Sequence, residues 1–271
     1  MKLRRLVELA LEEDVGPGDI TTTACVDPAK AGRGLIIAKE ELVVSGLEVA
    51  EAVFDVGGAS LSAIGRDGDR VSASTPIAEV SGPLQSVLTC ERVALNFLMR
   101  LSGIATNTRR IVGAAQGKLR VVDTRKTTPL HRQLEKAAVR HGGGHNHRFG
   151  LYDGVMIKDN HIRAVGSIGE AVGRVRKAVH HLVKVEVEVE TLEELDEALA
   201  ADADVILLDN MDDAMIREAV ARASGRATLE ASGNMDAERI ARLRDVLGLD
   251  VVSVGGLIHQ ARWVDLSLEL E

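Results

Sequence analysis

Residues 183–209 read VKVEVEVETLEELDEALAADADVILLD, and this stretch decides the fold. The apolar, β-branched run Val183–Val187 predicts a buried strand, Thr191–Ala200 predicts a helix, and Val205–Leu208 predicts a second strand. A strand, a helix and a strand in this order form a βαβ unit, whose two strands are parallel. The sequence therefore predicts an α/β fold built on a parallel sheet.

The same alternation continues on both sides of this stretch. Further helices are predicted at Asp212–Ala223 and Asp236–Val246. Four more apolar runs predict strands at Leu119–Val122, Gly154–Ile157, Ala227–Leu229 and Val251–Val254. Repeated βα units fit either an open doubly wound sheet or a closed barrel. Charged or glycine-rich residues follow all six strands, and in a βα barrel these ends meet on one face, so the pattern favours a barrel.

The predicted barrel is short and irregular, because an ordinary barrel of eight units needs about 250 residues and only 109–260 are available. Residues 1–108 form a separate N-terminal domain in this prediction. They contain an amphipathic helix at 2–12 and short strands within 33–80, and a long helix at about Ser86–Ala115 continues past residue 108 and could connect the two domains. Part of 68–80 weakly resembles half of a biotinyl- or lipoyl-carrier barrel, but no lysine stands at its hairpin tip.

Composition excludes several classes of function. The net charge of -8 argues against general binding of nucleic acid or anionic lipid, and 2% aromatic residues leave little to stack on bases. No apolar run is long enough to cross a bilayer, and Met1–Asp14 lacks the apolar region of a signal peptide. Cys25 and Cys90 form no CxxC pair, which fits a reducing cytoplasm. We therefore expect a cytoplasmic globular protein.

Two stretches suit an anion. Thr124, Arg125 and Lys126 follow the first barrel strand, and His147 and Arg148 follow a run of three glycines. Glycine lets the backbone approach a ligand, and Arg and His donate hydrogen bonds to carboxylate or phosphate. A solvated turn with capping threonines, or a flexible surface loop, explains the same residues. A zinc site is a weaker alternative, because no cysteine accompanies the histidines; its ligands would be His141, His145 and His147.

Three charged residues end the next strands. Lys158 follows the second strand, where it either binds an anion or extends to solvent at the rim. Glu188 and Asp209 end the third and fourth strands and could hold a magnesium-bound pyrophosphate, since Mg²⁺ prefers carboxylate, water and phosphate oxygens. The alternative is that both acids only balance the neighbouring cations. We expect Mg²⁺ dependence and no tightly bound zinc.

Glycine-rich turns follow the last two strands. Ser232-Gly233-Asn234 and Gly255-Gly256 stand where barrels commonly bind phosphate at a helix N-terminus. Ordinary strand-to-helix turns also use glycine, so each turn alone is a weak indication.

Together these motifs resemble those of the quinolinate phosphoribosyltransferase family, over nearly the whole chain. The resemblance is strongest from Asp123 to His161, where three motifs appear in order. They are TRKTT at 124–128, GGGHNHR at 142–148 and IKDNH at 157–161. Further matches are EDVGPGDITT at 13–22, ERVALNF at 91–97, LSGIAT at 101–106, EVEVE at 186–190, LLDN at 207–210 and EASGN at 230–234.

The resemblance implies an N-terminal α/β sandwich domain, made of 1–108 and completed by 261–271, and an irregular βα barrel at 109–260. It implies an enzyme, a decarboxylating pentosyltransferase that makes nicotinate mononucleotide, CO₂ and pyrophosphate from quinolinate and phosphoribosyl pyrophosphate for NAD biosynthesis. It also implies a homodimer or a hexamer of dimers. The expected catalytic residues are Lys126, Lys158, Glu188 and Asp209, the last two also as Mg²⁺ ligands. The expected substrate-binding residues are Thr124, Arg125, His147, Arg148, Ser232, Gly233, Gly255, His259 and, from a partner subunit, Arg92.

Two departures from the family pattern stand out. Leu130-His131 follow Pro129 where Gly-Leu is usual, and Ile258 and Gln260 replace a Thr and a Ser near the last turn. Two alternatives therefore stay open at this point. One is a related phosphoribosyltransferase, of the kind found in molybdenum uptake loci, that acts on another aromatic acid. The other is a non-enzymatic small-molecule binding protein, against which the missing carrier lysine and the charged strand ends both argue.

Overall fold

The computed structural model describes residues 2–271. The chain divides into two compact units. The first comprises Met1–Arg109, Thr127–Gly143 and Gln260–Glu271, and the second comprises Arg110–Lys126 and Gly144–His259.

The first unit contains five helices and six strands among the described residues. The helices are α1 (Leu3–Val15), α2 (Ile20–Cys25), α3 (Leu47–Val56), α4 (Leu84–Ala115, whose last turns belong to the second unit) and α5 (Arg132–His141). The strands are β1 (Ala31–Ala38), β2 (Leu42–Val43), β3 (Ser60–Ala63), β4 (Arg70–Val71), β5 (Pro76–Pro83) and β12 (Leu266–Leu270).

Four of these strands form an antiparallel sheet in the order β12-β1-β5-β3. Side chains alternate along β1, so that Ile36 and Ala38 are buried while Arg33 is exposed, as expected for a half-buried strand. The last strand of the chain pairs with the first, with Ala38 opposite Leu266. The C-terminal segment thus completes the sheet of the N-terminal unit.

The segment Thr127–Gly143 differs from the predicted division, which placed it in the barrel. It belongs to the first unit because α5 buries Glu135 there. The Glu135 carboxylate accepts hydrogen bonds from Arg100 of α4 at 2.9 Å and from the Thr128 backbone N–H at 2.8 Å. A charged contact of this kind leaves no periodic signal in the sequence, so pattern reasoning could not find it.

The second unit is built on six parallel strands in the order β6-β11-β10-β9-β8-β7. The strands are β6 (Arg120–Val122), β7 (Val155–Ile157), β8 (Val185–Val189), β9 (Val205–Asp209), β10 (Thr228–Ser232) and β11 (Val251–Ser253). The helices are α6 (Asp159–Val165), α7 (Ile168–Ala178), α8 (Leu192–Ala200), α9 (Asp213–Ala223), α10 (Ala237–Leu243) and α11 (Gly256–His259). The bounds of the six strands and of α8, α9 and α10 lie within a few residues of the predicted ones, whereas no bounds were predicted for α6, α7 and α11.

This architecture confirms the predicted α/β class with a barrel-like second unit. Strands β6 and β7 stand at the two ends of the strand order, and a single bridge from His145 to Val122 extends the other edge of β6. The outward residues Val187, Ile206 and Leu208 are fully buried. The residues one position away along each strand face the other side of the sheet, and several of them build the site described below.

No helix within residues 2–271 combines the length and the apolar character that a membrane span requires.

Candidate active site

A cavity of about 360 Å³ lies at the carboxyl ends of the strands of the second unit. Its wall follows the two-residue period of the strands, because side chains two apart face the same side. Thus one strand contributes Leu207 and Asp209, and the next contributes Glu230 and Ser232. The other lining residues are Thr124, Arg125, Lys126, His147, Arg148, Met156, Lys158, Glu188 and Ser253.

The loop that carries His147 is anchored by Asp123, which follows β6 and is completely buried. One carboxylate oxygen of Asp123 accepts the His147 backbone N–H at 2.9 Å, and the other accepts the Asn146 side-chain amide at 2.6 Å. The His145 backbone N–H also donates to the Val121 carbonyl at 2.9 Å. These bonds hold residues 145–147 against the end of β6, so the loop is an ordered part of the unit.

Four cationic side chains line the cavity: Arg125, Lys126, Arg148 and Lys158. Arg148 donates a hydrogen bond to the Gly154 carbonyl at 3.0 Å, which fixes one side of its guanidinium. Burial, and then the positive charge of Arg125, lower the pKa of Arg148, although an arginine keeps its charge at any physiological pH. Two neighbouring guanidiniums indicate a site that binds a ligand with more than one negative charge.

Two carboxylates face these cations, as the sequence predicted. Lys158 forms an ion pair with Glu188, and Asp209 accepts a hydrogen bond from the Asn210 amide at 2.7 Å. Magnesium in such sites is usually held by one or two carboxylates together with substrate phosphates and water. Because Lys158 already neutralises Glu188, the two acids fit a Mg²⁺ that arrives with pyrophosphate better than one held by the protein alone.

The predicted phosphate turns have tight backbone geometry. Gly233 has φ of +90°, and a Cβ there would lie 2.2 Å from the side-chain oxygen of Asn210, so no other residue fits. A Cβ on Gly255 would lie 3.1 Å from both His259 Nε2 and Lys126 Cδ. Gly255, His259 and Lys126 therefore lie together, and the Lys126 side chain lies beside the Gly255 backbone, which no side chain covers.

Two buried acids that the sequence analysis did not select, Glu186 and Glu230, lie against His147 at this cavity. His147 Nε2 lies 3.3 Å from Glu186 Oε2 and 3.6 Å from Glu230 Oε1, and both acids are buried. The pKa of Glu230 is raised to about 7, first by burial and second by the negative charge of Glu186. The available signal was the spacing of Glu186 and Glu188, which puts both on one face of β8.

The cavity brings together nine of the thirteen residues predicted for the site. Gly233, Gly255 and His259 lie in the second unit, in or just after the predicted turns, and do not line the cavity. Arg92 lies in α4 of the first unit, where it is exposed.

Comparison with known proteins gives a consistent result over the whole chain. Residues 19–102 match the model described as quinolinate phosphoribosyl transferase, N-terminal domain, and residues 104–269 match the model of its C-terminal domain. A protein of Bacillus subtilis named probable nicotinate-nucleotide pyrophosphorylase [carboxylating] is 41% identical over 273 residues, covering 100% of this chain and 94% of its own. A Mycobacterium leprae protein named nicotinate-nucleotide pyrophosphorylase [carboxylating] is 41% identical, covering 98% and 96%.

A solved structure agrees with these sequences. The crystal structure of NadC from Streptococcus pyogenes superimposes with a TM-score of 0.94 at 43% identity, covering 99% of this chain and 96% of that one.

Proposed function

We propose, since the chain belongs to the quinolinate phosphoribosyltransferase family, that it transfers phosphoribose from phosphoribosyl pyrophosphate to quinolinate. The products are nicotinate mononucleotide, CO₂ and pyrophosphate, on the route to NAD. The observation that carries this proposal is the cavity with four cationic side chains. Quinolinate has two adjacent carboxylates, and phosphoribosyl pyrophosphate adds several more negative charges, so a site for both needs this many fixed cations.

Substrate binding follows from the positions of the arginines. The positive charge of Arg125 is close enough to Arg148 to lower the pKa of Arg148. Each of the two guanidiniums can bind a carboxylate through two parallel hydrogen bonds. We assign the quinolinate carboxylates to these two arginines and to Lys158. Lys126, Ser232 and Gly233, with Gly255 and His259, are assigned to the phosphates of the second substrate.

The transfer step forms a bond between the ring nitrogen of quinolinate and the anomeric carbon of ribose. Pyrophosphate leaves with the electron pair of the carbon–oxygen bond, and positive charge develops on the sugar in the transition state. Glu188 and Asp209 are the carboxylates placed to stabilise that charge. Lys158, which pairs with Glu188, keeps that carboxylate oriented in the cavity.

Decarboxylation follows without an organic cofactor. The alkylated ring nitrogen is cationic, so the carboxylate next to it leaves as CO₂ and its bonding electrons remain on the ring carbon as a stabilised carbanion. That carbon then takes a proton, which completes nicotinate mononucleotide. Mg²⁺ is proposed to neutralise the pyrophosphate, with Glu188 and Asp209 as its protein ligands.

We further propose that the enzyme is a dimer, or a hexamer of dimers, in which a partner subunit supplies Arg92. Arg92 is exposed in α4, and no hydrogen bond or ion pair within residues 2–271 engages its side chain. An unengaged arginine is available to a second chain, and a two-fold axis would repeat the contact in both sites.

We place the reaction in a reducing cytoplasm, because Cys25 and Cys90 are both free thiols.

Product analysis tests the activity. The purified enzyme is incubated with phosphoribosyl pyrophosphate and Mg²⁺, and quinolinate, nicotinate and nicotinamide are offered separately. We expect nicotinate mononucleotide and CO₂ from quinolinate only. When one carboxylate of the substrate is missing, cations of the site stay unpaired, and the site binds the transition state much more weakly. Equal turnover of nicotinate would refute the assignment, and stoichiometric zinc that survives chelation would refute the proposed metal.

Mixing tests the shared site. Arg92→Ala and Lys158→Ala are each expected to be nearly inactive, but a mixed dimer has one site with both changes and one with neither. After co-refolding of equal amounts, half the dimers are mixed and about a quarter of wild-type activity returns. If the mixture stays inactive while refolded wild type recovers, the site lies within one chain.

A further inference from the structure

The ring of His147 is held from both of its nitrogens. The backbone N–H of Arg148 donates to His147 Nδ1 at 2.8 Å. Nε2 faces the buried acids, 3.3 Å from Glu186 and 3.6 Å from Glu230. The side chain of His147 is 16% exposed, and those of the two acids are 9% and 5% exposed. The ring therefore forms a link between the buried acids and the backbone of a cavity arginine.

The hydrogen bonds define the tautomer of this ring. A nitrogen that accepts an N–H must present a lone pair, so Nδ1 carries no hydrogen and the ring hydrogen lies on Nε2. Nε2–H then donates to Glu186 Oε2 at 3.3 Å, while Glu230 Oε1 lies next to the same nitrogen at 3.6 Å, beyond hydrogen-bond distance. The sequence analysis assigned His147 to substrate binding, and the structure shows that its Nδ1 accepts the Arg148 N–H and therefore does not donate to a substrate.

The same reasoning argues against a metal in this cluster. The three groups offer ligand atoms within 4.8 Å of one another, which suits a metal ion. A metal on Nε2 would require a lone pair there and a hydrogen on Nδ1. That hydrogen would point at the Arg148 N–H, so the two arrangements exclude each other.

We propose that Glu186 and Glu230 are positioning residues that fix His147, and through it Arg148, for recognition of the substrate carboxylate. The path runs from the acids to Nε2–H, through the ring to Nδ1, and to the backbone N–H of Arg148. The Arg148 guanidinium is fixed at its other end by the Gly154 carbonyl. Asp123 holds the His147 backbone N–H at 2.9 Å, so backbone and ring are both fixed. The consequence for substrate recognition rests on the proposed function.

The first test measures the tautomer directly and needs no substrate. Long-range ¹H–¹⁵N spectra of ¹⁵N-histidine-labelled enzyme, with His147→Gln to assign the ring, should show the neutral Nε2–H form at pH 7. An Nδ1–H form or a doubly protonated ring at that pH would overturn the proposal. This result stands whichever substrate the enzyme uses.

The second test separates positioning from packing with matched substitutions. Glu186→Gln keeps an oxygen that accepts from Nε2–H, whereas Glu186→Leu keeps the volume and loses the acceptor. We expect Gln to keep the KM for quinolinate within about threefold of wild type, and Leu to raise it at least tenfold. The KM for phosphoribosyl pyrophosphate should change less than about threefold in both. The same comparison applies to Glu230, and Glu190→Leu, at an exposed position after the same strand, is the control.

The outcomes are distinguishable. If the Leu variants keep the KM for quinolinate as well as the Gln variants do at both positions, the acids only fill space and the proposal is wrong. If Leu variants fail to fold, Glu186→Ala and Glu230→Ala repeat the comparison, and the tautomer measurement on wild type decides by itself. If wild type does not use quinolinate at all, the proposed function fails while the tautomer result still tests the link from the acids to Arg148.

Discussion

The two units bury their carboxylates in opposite ways. In the first unit, both oxygens of Glu135 are satisfied: Oε1 accepts from Arg100 and from the Thr128 hydroxyl, each at 2.9 Å, and Oε2 accepts the Thr128 N–H at 2.8 Å. In the second unit, Glu186 and Glu230 share one histidine. One oxygen of each has no hydrogen-bond partner within residues 2–271.

This difference indicates what each arrangement is for. Buried polar groups are nearly always hydrogen-bonded, because an unsatisfied one costs free energy. A fully satisfied acid such as Glu135 therefore serves the fold. Two buried acids that share one histidine, one of them with a strongly raised pKa and both next to a cavity with four cations, are an arrangement typical of functional sites. The comparison predicts that changes in the first cluster reduce stability and changes around the second alter activity.

Removal of Arg100 should have the largest effect. Arg100→Ala leaves Glu135 charged, wholly buried and without its cation, and breaking such a pair typically costs about 4 kcal/mol. Urea denaturation measures the loss. Arg33→Ala is the control, because its ion pair with Glu79 is largely exposed and should be worth no more than about 1 kcal/mol. Equal losses in the two variants would contradict the comparison.

Removal of Lys158 should do the opposite of removing Arg100: it should reduce activity and leave stability almost unchanged. Lys158→Ala takes a cation from the cavity and leaves Glu188 unpaired, so turnover of quinolinate should fall at least about 100-fold, or roughly 3 kcal/mol in the transition state. Its side chain is 41% exposed, so stability should change by less than about 1 kcal/mol. Steady-state kinetics and thermal melts measure both, with Lys177→Ala on the exposed face of α7 as control. A variant that unfolds would show that Lys158 is structural.

The third prediction concerns pH and Glu230. Its pKa is about 7 in the folded protein against an ordinary 4.5, so between these values the folded state binds a proton that the unfolded state releases. Stability therefore falls as pH rises from about 4.5 to about 7, by roughly 3 kcal/mol. Glu230→Gln imitates the neutral acid at every pH, so its stability should not show this decline.

The measurement is the difference between the two proteins. Urea midpoints at pH 5 and pH 8 should show similar stability at pH 5 and a more stable Glu230→Gln at pH 8. Because groups outside this cluster titrate alike in both proteins, the difference reports Glu230 together with its interactions with Glu186 and His147. If the stabilities of wild type and Glu230→Gln change in parallel between pH 5 and pH 8, Glu230 is charged over this whole range. The proposed electrostatic difference between Glu230 and Glu135 would then be wrong.

Sequence reasoning found the sheet and the outer wall of the cavity because both follow short-range patterns. The two-residue period of the strands and the charged residues at their ends are visible in the chain itself. The buried acids were missed because one of them, Glu230, lies far along the chain from His147, and only the strand pairing brings them together. Glu135 was missed for the same reason: its partner Arg100 lies 35 residues away on another helix.

The smallest expected effect concerns Leu130, which stands where the family usually has glycine. Leu130 has φ of +69°, in the left-handed region that costs a residue with a Cβ roughly 1 kcal/mol. Its side chain is 68% exposed, so it recovers little of this cost through burial. Leu130→Gly should therefore stabilise the protein by roughly 0.5–1 kcal/mol, the relief of strain being partly offset by the greater freedom of glycine in the unfolded chain.

Leu182→Gly is the matched control, because Leu182 is 77% exposed in a turn and its φ is not positive. There the substitution relieves no strain and adds only unfolded-state entropy, so it should destabilise slightly. Denaturation midpoints of the two variants should move in opposite directions. If both fall, the side chain of Leu130 contributes contacts that outweigh its backbone strain, and the departure from the family pattern at this turn is compensated within the first unit.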